Sequence, residues 1–323
     1  MKTRFSSWAL ALCLALPATQ SLAEDYPAAP VRLVVPYAPG GTTDLLARLL
    51  AKELATRLSG NVIVENKTGA GGNIAAGFVA RSRPDGYTLM MASVGQFAIN
   101  PLIFSKPGYD AAKDFTPIAA VAEVPNVLVT SKSSPLHSVQ DVIDQAREKP
   151  DQLPFASSGN GSSNHLAGVL FSTLADIRLI HVPYKGSAPG LQALYSGDVA
   201  MMFDNLSSSL PHIRSGELRA LGTTSTSRSP QLPDVPTIAE AGLAGYEASA
   251  WFGIVAPAGI PAGIAARLNS EIGAILEDAA ISRQLADMGM TPIPSSRADF
   301  QKRIQADMEK WKPVVLKANL AIN

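Results

Sequence analysis

Apolar positions along this chain alternate between short continuous runs and a spacing of three or four. Val31–Pro36 is an apolar run that reads as a strand, and Gly40-Gly41 then turns the chain. Thr42 or Thr43 is placed to cap a helix, in which Leu46, Leu50, Leu54 and Leu58 recur on one face with Leu45 and Leu49 alongside. Gly60 stands where a C′ glycine ends such a helix. Val62–Glu65 is a second strand, Thr68–Asn73 a glycine-rich loop, and a short helix runs on to Arg81. After the turn Pro84–Gly86, Tyr87–Met91 is a third strand. This βαβαβ order predicts a parallel sheet with helices on both faces.

The pattern changes at Phe115–Thr130, where two extended runs are split by Pro125. A new α/β series follows: helix Val139–Glu148, strand Leu153–Ser157, helix Asn164–Leu174, strand Arg178–Val182, helix Gly190–Ser196, strand Val199–Phe203 and strand Leu218–Thr223. Ser225–Pro236 is a Ser/Pro-rich loop and Ala250–Ala256 one more extended run. Beyond it the periodicity predicts only helices, over Ala262–Glu277, Ile281–Met288 and Arg297–Ala318, which are expected to pack back on the first domain. Two α/β lobes joined by two crossovers imply a hinge with a cleft. In open α/β sheets ligands sit beyond the carboxyl ends of the strands.

The first residues differ from all of this. Lys2 and Arg4 precede the apolar run Trp8–Leu16, and Ser21-Leu22-Ala23 supplies small residues for cleavage after Ala23. The run is shorter than the ~20 apolar residues a membrane span requires. The single cysteine, Cys13, lies within it and follows Leu12, not the small residue that a lipid-modified cysteine requires. The mature chain therefore lacks cysteine, which excludes disulfides, thiolate nucleophiles and Cys-based metal sites. Loss of Lys2 and Arg4 leaves 25 basic against 27 acidic residues, so nothing favours a nucleic-acid backbone.

Three strand-to-helix loops are rich in glycine and small polar residues: Pro36–Asp44, Asn66–Asn73 and Ala156–His165. Helix starts carry unpaired N–H groups and partial positive charge, and glycine lets the backbone approach an anion. Phosphate fingerprints do not match, so a carboxylate is the better reading. No Gly-x-Ser-x-Gly elbow occurs, and His137, His165, His181 and His212 lack metal spacing. Ser163 with His165 is the one conceivable nucleophile–base pair. Asp204 ends the strand Val199–Phe203 and is a site candidate. Lys185, in the strand-end loop Tyr184–Gly186, reads as an anion contact or a solvated lysine.

Together these residues resemble one family, the Bug-type solute receptors of tripartite tricarboxylate transporters. The matching stretches are Val34–Asp44, Val64–Asn73, Pro84–Leu89, Asp114–Ile118, Ala156–Ser162, His181–Gly186, Met202–Asn205, Asp234–Thr237 and Trp251–Pro257, in family order across the mature chain. The resemblance implies a two-lobe α/β periplasmic binding protein of type II with two crossover segments and an interdomain cleft. It places one domain at 24–122 with 253–323 and the other at 123–252, after a signal peptide at 1–23. It implies that the loops Tyr37–Thr43 and Ser157–Ser163 grip a small organic anion through N–H groups, hydroxyls and waters, and that Asp204 lines the same cleft. The expected ligand-binding set is Tyr37, Gly40, Gly41, Thr42, Ser93, Ser157, Gly161, Ser162 and Asp204, with no cofactor, metal or catalytic residue. A monomeric receptor in the periplasm, delivering its acid to membrane permease subunits, is the expected function. A ligand-loaded partner of a sensor kinase and an exported serine hydrolase are the alternatives.

Overall fold

The computed structural model describes residues 26–322, so the expected signal peptide lies outside the described residues. In chain order the elements are β1 (Val31–Val35), α1 (Thr42–Arg57), β2 (Val62–Asn66), α2 (Asn73–Ala80), β3 (Thr88–Ser93), α3 (Asn100–Ile103) and β4 (Phe115–Val124). After Pro125 come β5 (Asn126–Ser131), α4 (Val139–Glu148), β6 (Pro154–Ser157), α5 (Ser163–Ala175), β7 (Ile180–Pro183), α6 (Ser187–Ser196), β8 (Met201–Asn205), α7 (Leu206–Arg214) and β9 (Leu218–Thr223). The chain then returns through β10 (Ala250–Pro257), α8 (Ala262–Glu277), α9 (Ala279–Asp287), β11 (Thr291–Pro292) and α10 (Arg297–Lys317).

Two sheets result, and each belongs to one lobe. The first has the order β11-β4-β10-β3-β1-β2, the second β7-β6-β8-β5-β9. The parallel sheet expected from the early βαβαβ pattern is the half formed by β2, β1 and β3; β10, β4 and β11 extend it, each antiparallel to its neighbour, so β4 again runs with the parallel half. The second sheet is mixed in the same way, with β6 parallel to β7 and β8, and β5 antiparallel to β8 and β9. All eight residues of β10 are buried, because helices cover both faces. Trp251 on β10 meets the Phe300 ring edge-on at 5.2 Å and donates its indole N–H to Asp307, which ties α10 to the first sheet. Helices α8 and α10 both pack against β4, so the chain end does return to the first lobe.

Several local expectations are corrected. Gly41, not Thr42 or Thr43, is the N-cap of α1, and no side chain caps that end. Ser59 takes the left-handed conformation after α1, with φ 52°, and Gly60 follows it. The Gly60 N–H reaches Ala55 and the Ser59 N–H reaches Thr56, a Schellman closure shifted by one residue. Glycine at 60 answers a different need, since a Cβ there would lie 2.6 Å from Pro27. The last segment is not all helix, because Thr291-Pro292 pairs with β4. Helix α7 carries three consecutive serines and Pro211, weak helix formers that mask it in the sequence.

Candidate functional site

The two lobes meet where the carboxyl ends of their strands face each other. A narrow cavity of about 10 Å3, room for about one water, lies between them. The first lobe contributes Tyr37, Gly41, Thr42, Thr43, Ser93 and Phe252; the second contributes Ser158, Ser162, Ser163, Asn164, Ser187 and Asn205. None of these side chains is charged. Helices α1, α5 and α6 all begin at the cavity wall, with N-caps Gly41, Ser162 and Gly186. Their first-turn N–H groups have no partner within the helix, so the cavity is lined by fixed donors rather than by cations.

Direct contacts hold the lobes together. The hydroxyls of Thr42 and Ser207 lie 2.6 Å apart, and the Ala38 N–H donates to the Lys185 carbonyl at 2.9 Å. Gly71 and Gly161 allow the closest approaches: added Cβ atoms would lie 2.0 Å from the Asn160 carbonyl oxygen and 1.8 Å from Asn100 Oδ1. The cleft is closed in this structure. An outer chamber shares Tyr37 and Ser158 with the cavity and is rimmed by Gly69–Gly72, Tyr184 and Lys185. A wider hollow lies elsewhere, between Ser225–Gln231 and Ala286–Thr291. Its cations are committed to carboxylates, Arg303 to Glu123, Lys310 to Glu247 and Arg228 to Glu240, so it offers an anion no free charge.

The sequence-derived candidates separate into two groups. Tyr37, Gly41, Thr42, Ser93 and Ser162 come together on the cavity wall. Tyr37 Oη accepts from Gln96 Nε2 at 2.9 Å, and burial pushes the phenol up from its usual range against the pull of Ser93 and Gln96. Ser162 accepts from the His165 N–H and donates to the Gly159 carbonyl at 2.7 Å, which makes it the cap of α5. The structure does not bring Gly40, Ser157, Gly161 and Asp204 to the wall. Gly40, with φ 86°, donates its N–H to Asp44. Burial alone would raise the Asp44 carboxyl, but donation from Arg48, Asn66 and Gly40 outweighs it and holds the group below its usual value. Ser157 turns into the second lobe, 2.6 Å from His181 Nε2, while the next residue, Ser158, faces the cavity. Gly161 donates to His165 Nδ1.

Asp204 lies behind the wall. It is wholly buried and accepts from Ser187 at 2.6 Å, Ser208 at 2.6 Å and Ser209 at 2.8 Å. Burial pushes its carboxyl up, and the three hydroxyls pull it back. The conceivable serine–histidine pair is not formed. Among the described residues no hydrogen bond joins Ser163 to His165. The His165 ring stacks on His181 at 3.9 Å, and burial lowers the two imidazoles to about 4 and about 3. Thr43, Ser158 and Ser163 also line the wall, within the two expected gripping loops, whereas sequence reasoning missed Asn164, Ser187, Asn205 and Phe252. Ser187 and Asn205 had a usable signal, since each directly follows a strand-end feature already singled out, Gly186 and Asp204.

Two mixed α/β lobes closing on a cavity of neutral donors define the class of bilobal solute-binding proteins. The tripartite tricarboxylate transporter family receptor pattern matches residues 46–320, and the chain belongs to that family. It is similar to the protein BugT of Bordetella pertussis, 37% identical over 294 residues that cover 91% of this chain and 90% of BugT. Among solved structures it is similar to R. palustris Rpa4515 with adipate, at 42% identity and a TM-score of 0.90, covering 92% of this chain and 99% of that one. It is also similar to MatC from Rhodopseudomonas palustris with bound malate, at 34% identity and a TM-score of 0.86, covering 90% of this chain and 100% of the other. Among the described residues no helix is long and apolar enough to cross a membrane.

Proposed function

We propose that this chain is a periplasmic receptor that captures a small organic acid between its lobes and hands it to the permease of a tripartite tricarboxylate transporter. The observation that carries this reading is the uncharged cavity into which three helices begin. A carboxylate there meets the N–H groups at the starts of α1 and α5, with hydroxyls from Thr42, Thr43 and Ser158 around it, while Ser93 donates to Gln96 and shapes the wall. The adipate and malate held by the two R. palustris relatives support the ligand class. Tyr37 and Gly41 shape the first-lobe wall and Ser162 caps the second. Gly40, Ser157, Gly161 and Asp204 support the wall without reaching the ligand.

The moving bodies meet at Pro125 and just before Ala250, because β4 to Val124 and β10 from Ala250 belong to the first sheet; the expected bounds, 24–122 with 253–323 against 123–252, would cut both strands. The ligand favours closure because only the closed form lets it touch both lobes. The protein is a monomer, exported by its N-terminal signal, that performs no chemistry on the acid, and its closed form docks on the permease. Calorimetric titration of the mature chain with mono-, di- and tricarboxylates tests the reading. At least one acid should bind with Kd of ~10 µM or tighter, ~7 kcal/mol. Affinity should change little with salt, since buried dipoles are screened less than exposed charges. Failure of every acid to bind, or turnover of a carboxylate ester, would overturn the proposal.

A further inference from the structure

One part of the cavity wall is arranged to accept hydrogen bonds, which a bare carboxylate does not use. Asn126 Nδ2 donates to the Ala248 carbonyl at 2.6 Å, so its Oδ1 faces the other way. That oxygen accepts from Asn164 Nδ2 and from Asn205 Nδ2, each at 2.8 Å. Both outer amides are thereby fixed in direction, with nitrogen toward Asn126. Asn164 and Asn205 line the cavity. Among the described residues neither Oδ1 accepts a hydrogen bond, and neither is sealed from open space. Asn205 is the N-cap of α7, where an asparagine Oδ1 ordinarily accepts from the first turn, yet its side chain makes no cap bond.

Ser187 adds a third acceptor. A hydroxyl has one proton, and the Ser187 proton goes to Asp204. Its oxygen then accepts only a long contact from the Ser158 hydroxyl, at 3.4 Å, and keeps a further lone pair. Asp204 is saturated by Ser187, Ser208 and Ser209, so it sets the direction of these hydroxyls and offers no charge to the ligand.

Resting on the receptor reading above, we infer that the ligand is a hydroxycarboxylate, whose hydroxyl donates to the cluster formed by Ser187 Oγ, Asn164 Oδ1 and Asn205 Oδ1. Asp204 is the positioning residue that keeps Ser187 an acceptor. An ammonium group would find no free carboxylate in this cavity, and a buried cation without a counter-charge is disfavoured. A neutral hydroxyl is matched by the three oxygens, and a site built around a hydroxyl rejects the analogue that lacks it.

The test compares acids that differ only in that group: malate with succinate, and 2-hydroxyglutarate with glutarate, with aspartate and glutamate as the ammonium arm. In the wild type the hydroxy acid of the pair that fits should bind at least ~10-fold tighter than its unsubstituted partner. Ser187→Ala should bring that ratio to about twofold or less, with a lower melting temperature because buried Asp204 loses a donor. Asp204→Ala removes the acceptor, frees the serine proton to donate and should shift preference to the unsubstituted acid. If that variant does not fold, Ser187→Ala decides alone. Equal binding of both members of each pair, a preference for the amino acids, or an unchanged ratio in Ser187→Ala would overturn the inference and leave the receptor reading standing. Failure of all carboxylates would remove both.

Discussion

The hydroxyl of Thr42, in the first turn of α1, meets the hydroxyl of Ser207, in the first turn of α7, at 2.6 Å across the lobe boundary. Ser208 extends the contact at 3.5 Å. Ser207 lies off the cavity wall, so it latches the lobes without touching the space a ligand would fill. Ser207→Ala should shift the ligand-free protein toward the open form and weaken ligand binding by ~1 kcal/mol, about fivefold. Small-angle scattering and titration read the two effects. An unchanged radius of gyration and affinity would show that the contact follows closure and does not favour it.

Ser157 and Ser158 make opposite predictions. Ser157→Ala removes the bond to His181 and should lower the melting temperature while the ligand affinity stays within about twofold. Ser158→Ala removes a cavity hydroxyl and should weaken binding by ~1 kcal/mol with the fold intact. The reverse assignment of effects would mean that the loop rearranges when ligand binds.

This pair also marks the limit of what the sequence discloses. The helix faces were legible: Leu46, Leu50, Leu54 and Leu58 are all buried as their spacing requires, and α4 and α8 have the expected bounds. Side-chain direction at strand ends was not. Ser157 closes β6 and Ser158 begins the turn, and which one faces the cleft depends on a turn that strand alternation does not specify. Asp204 poses the same problem, because every residue of β8 is buried and no alternation points to a side. Helix α7, with the Ser207 latch and two of the serines that hold Asp204, was hidden by its Ser-rich, Pro-containing sequence.

Gly40 and Gly41 also separate. Gly41 has φ −86°, which any residue adopts, but a Cβ there would lie 3.4 Å from Ser187 Oγ. Gly41→Val is larger still and should raise Kd ~10-fold, ~1.4 kcal/mol, with the fold retained. Gly40→Ala meets only an ordinary contact but must hold φ 86°, so it should destabilise by ~1 kcal/mol and leave affinity alone. Titration and thermal melting on both variants check the contrast; equal effects would refute it.

The stacked imidazoles predict the acid limb of stability. Folding lowers His165 to about 4 and His181 to about 3, mainly by burial and, for His181, also by the neighbouring ring. Below an unfolded value near 6.5 the unfolded chain takes up protons that the native state refuses. Stability from this pair is therefore complete above pH ~6.5 and falls toward pH ~4, by an order of 3 kcal/mol for His165 alone. His165→Gln should flatten that slope in chemical denaturation between pH 7 and pH 4. An unchanged slope would place the acid sensitivity elsewhere.

Asn126 opens β5 directly after the Pro125 crossover, and its amide also holds Ala248, on the second crossover segment. One side chain thus joins both connections between the lobes to the two asparagines of the cavity wall. A change at the joint re-aims two oxygens at once, so selection on how the lobes swing and selection on what they capture act on the same amide.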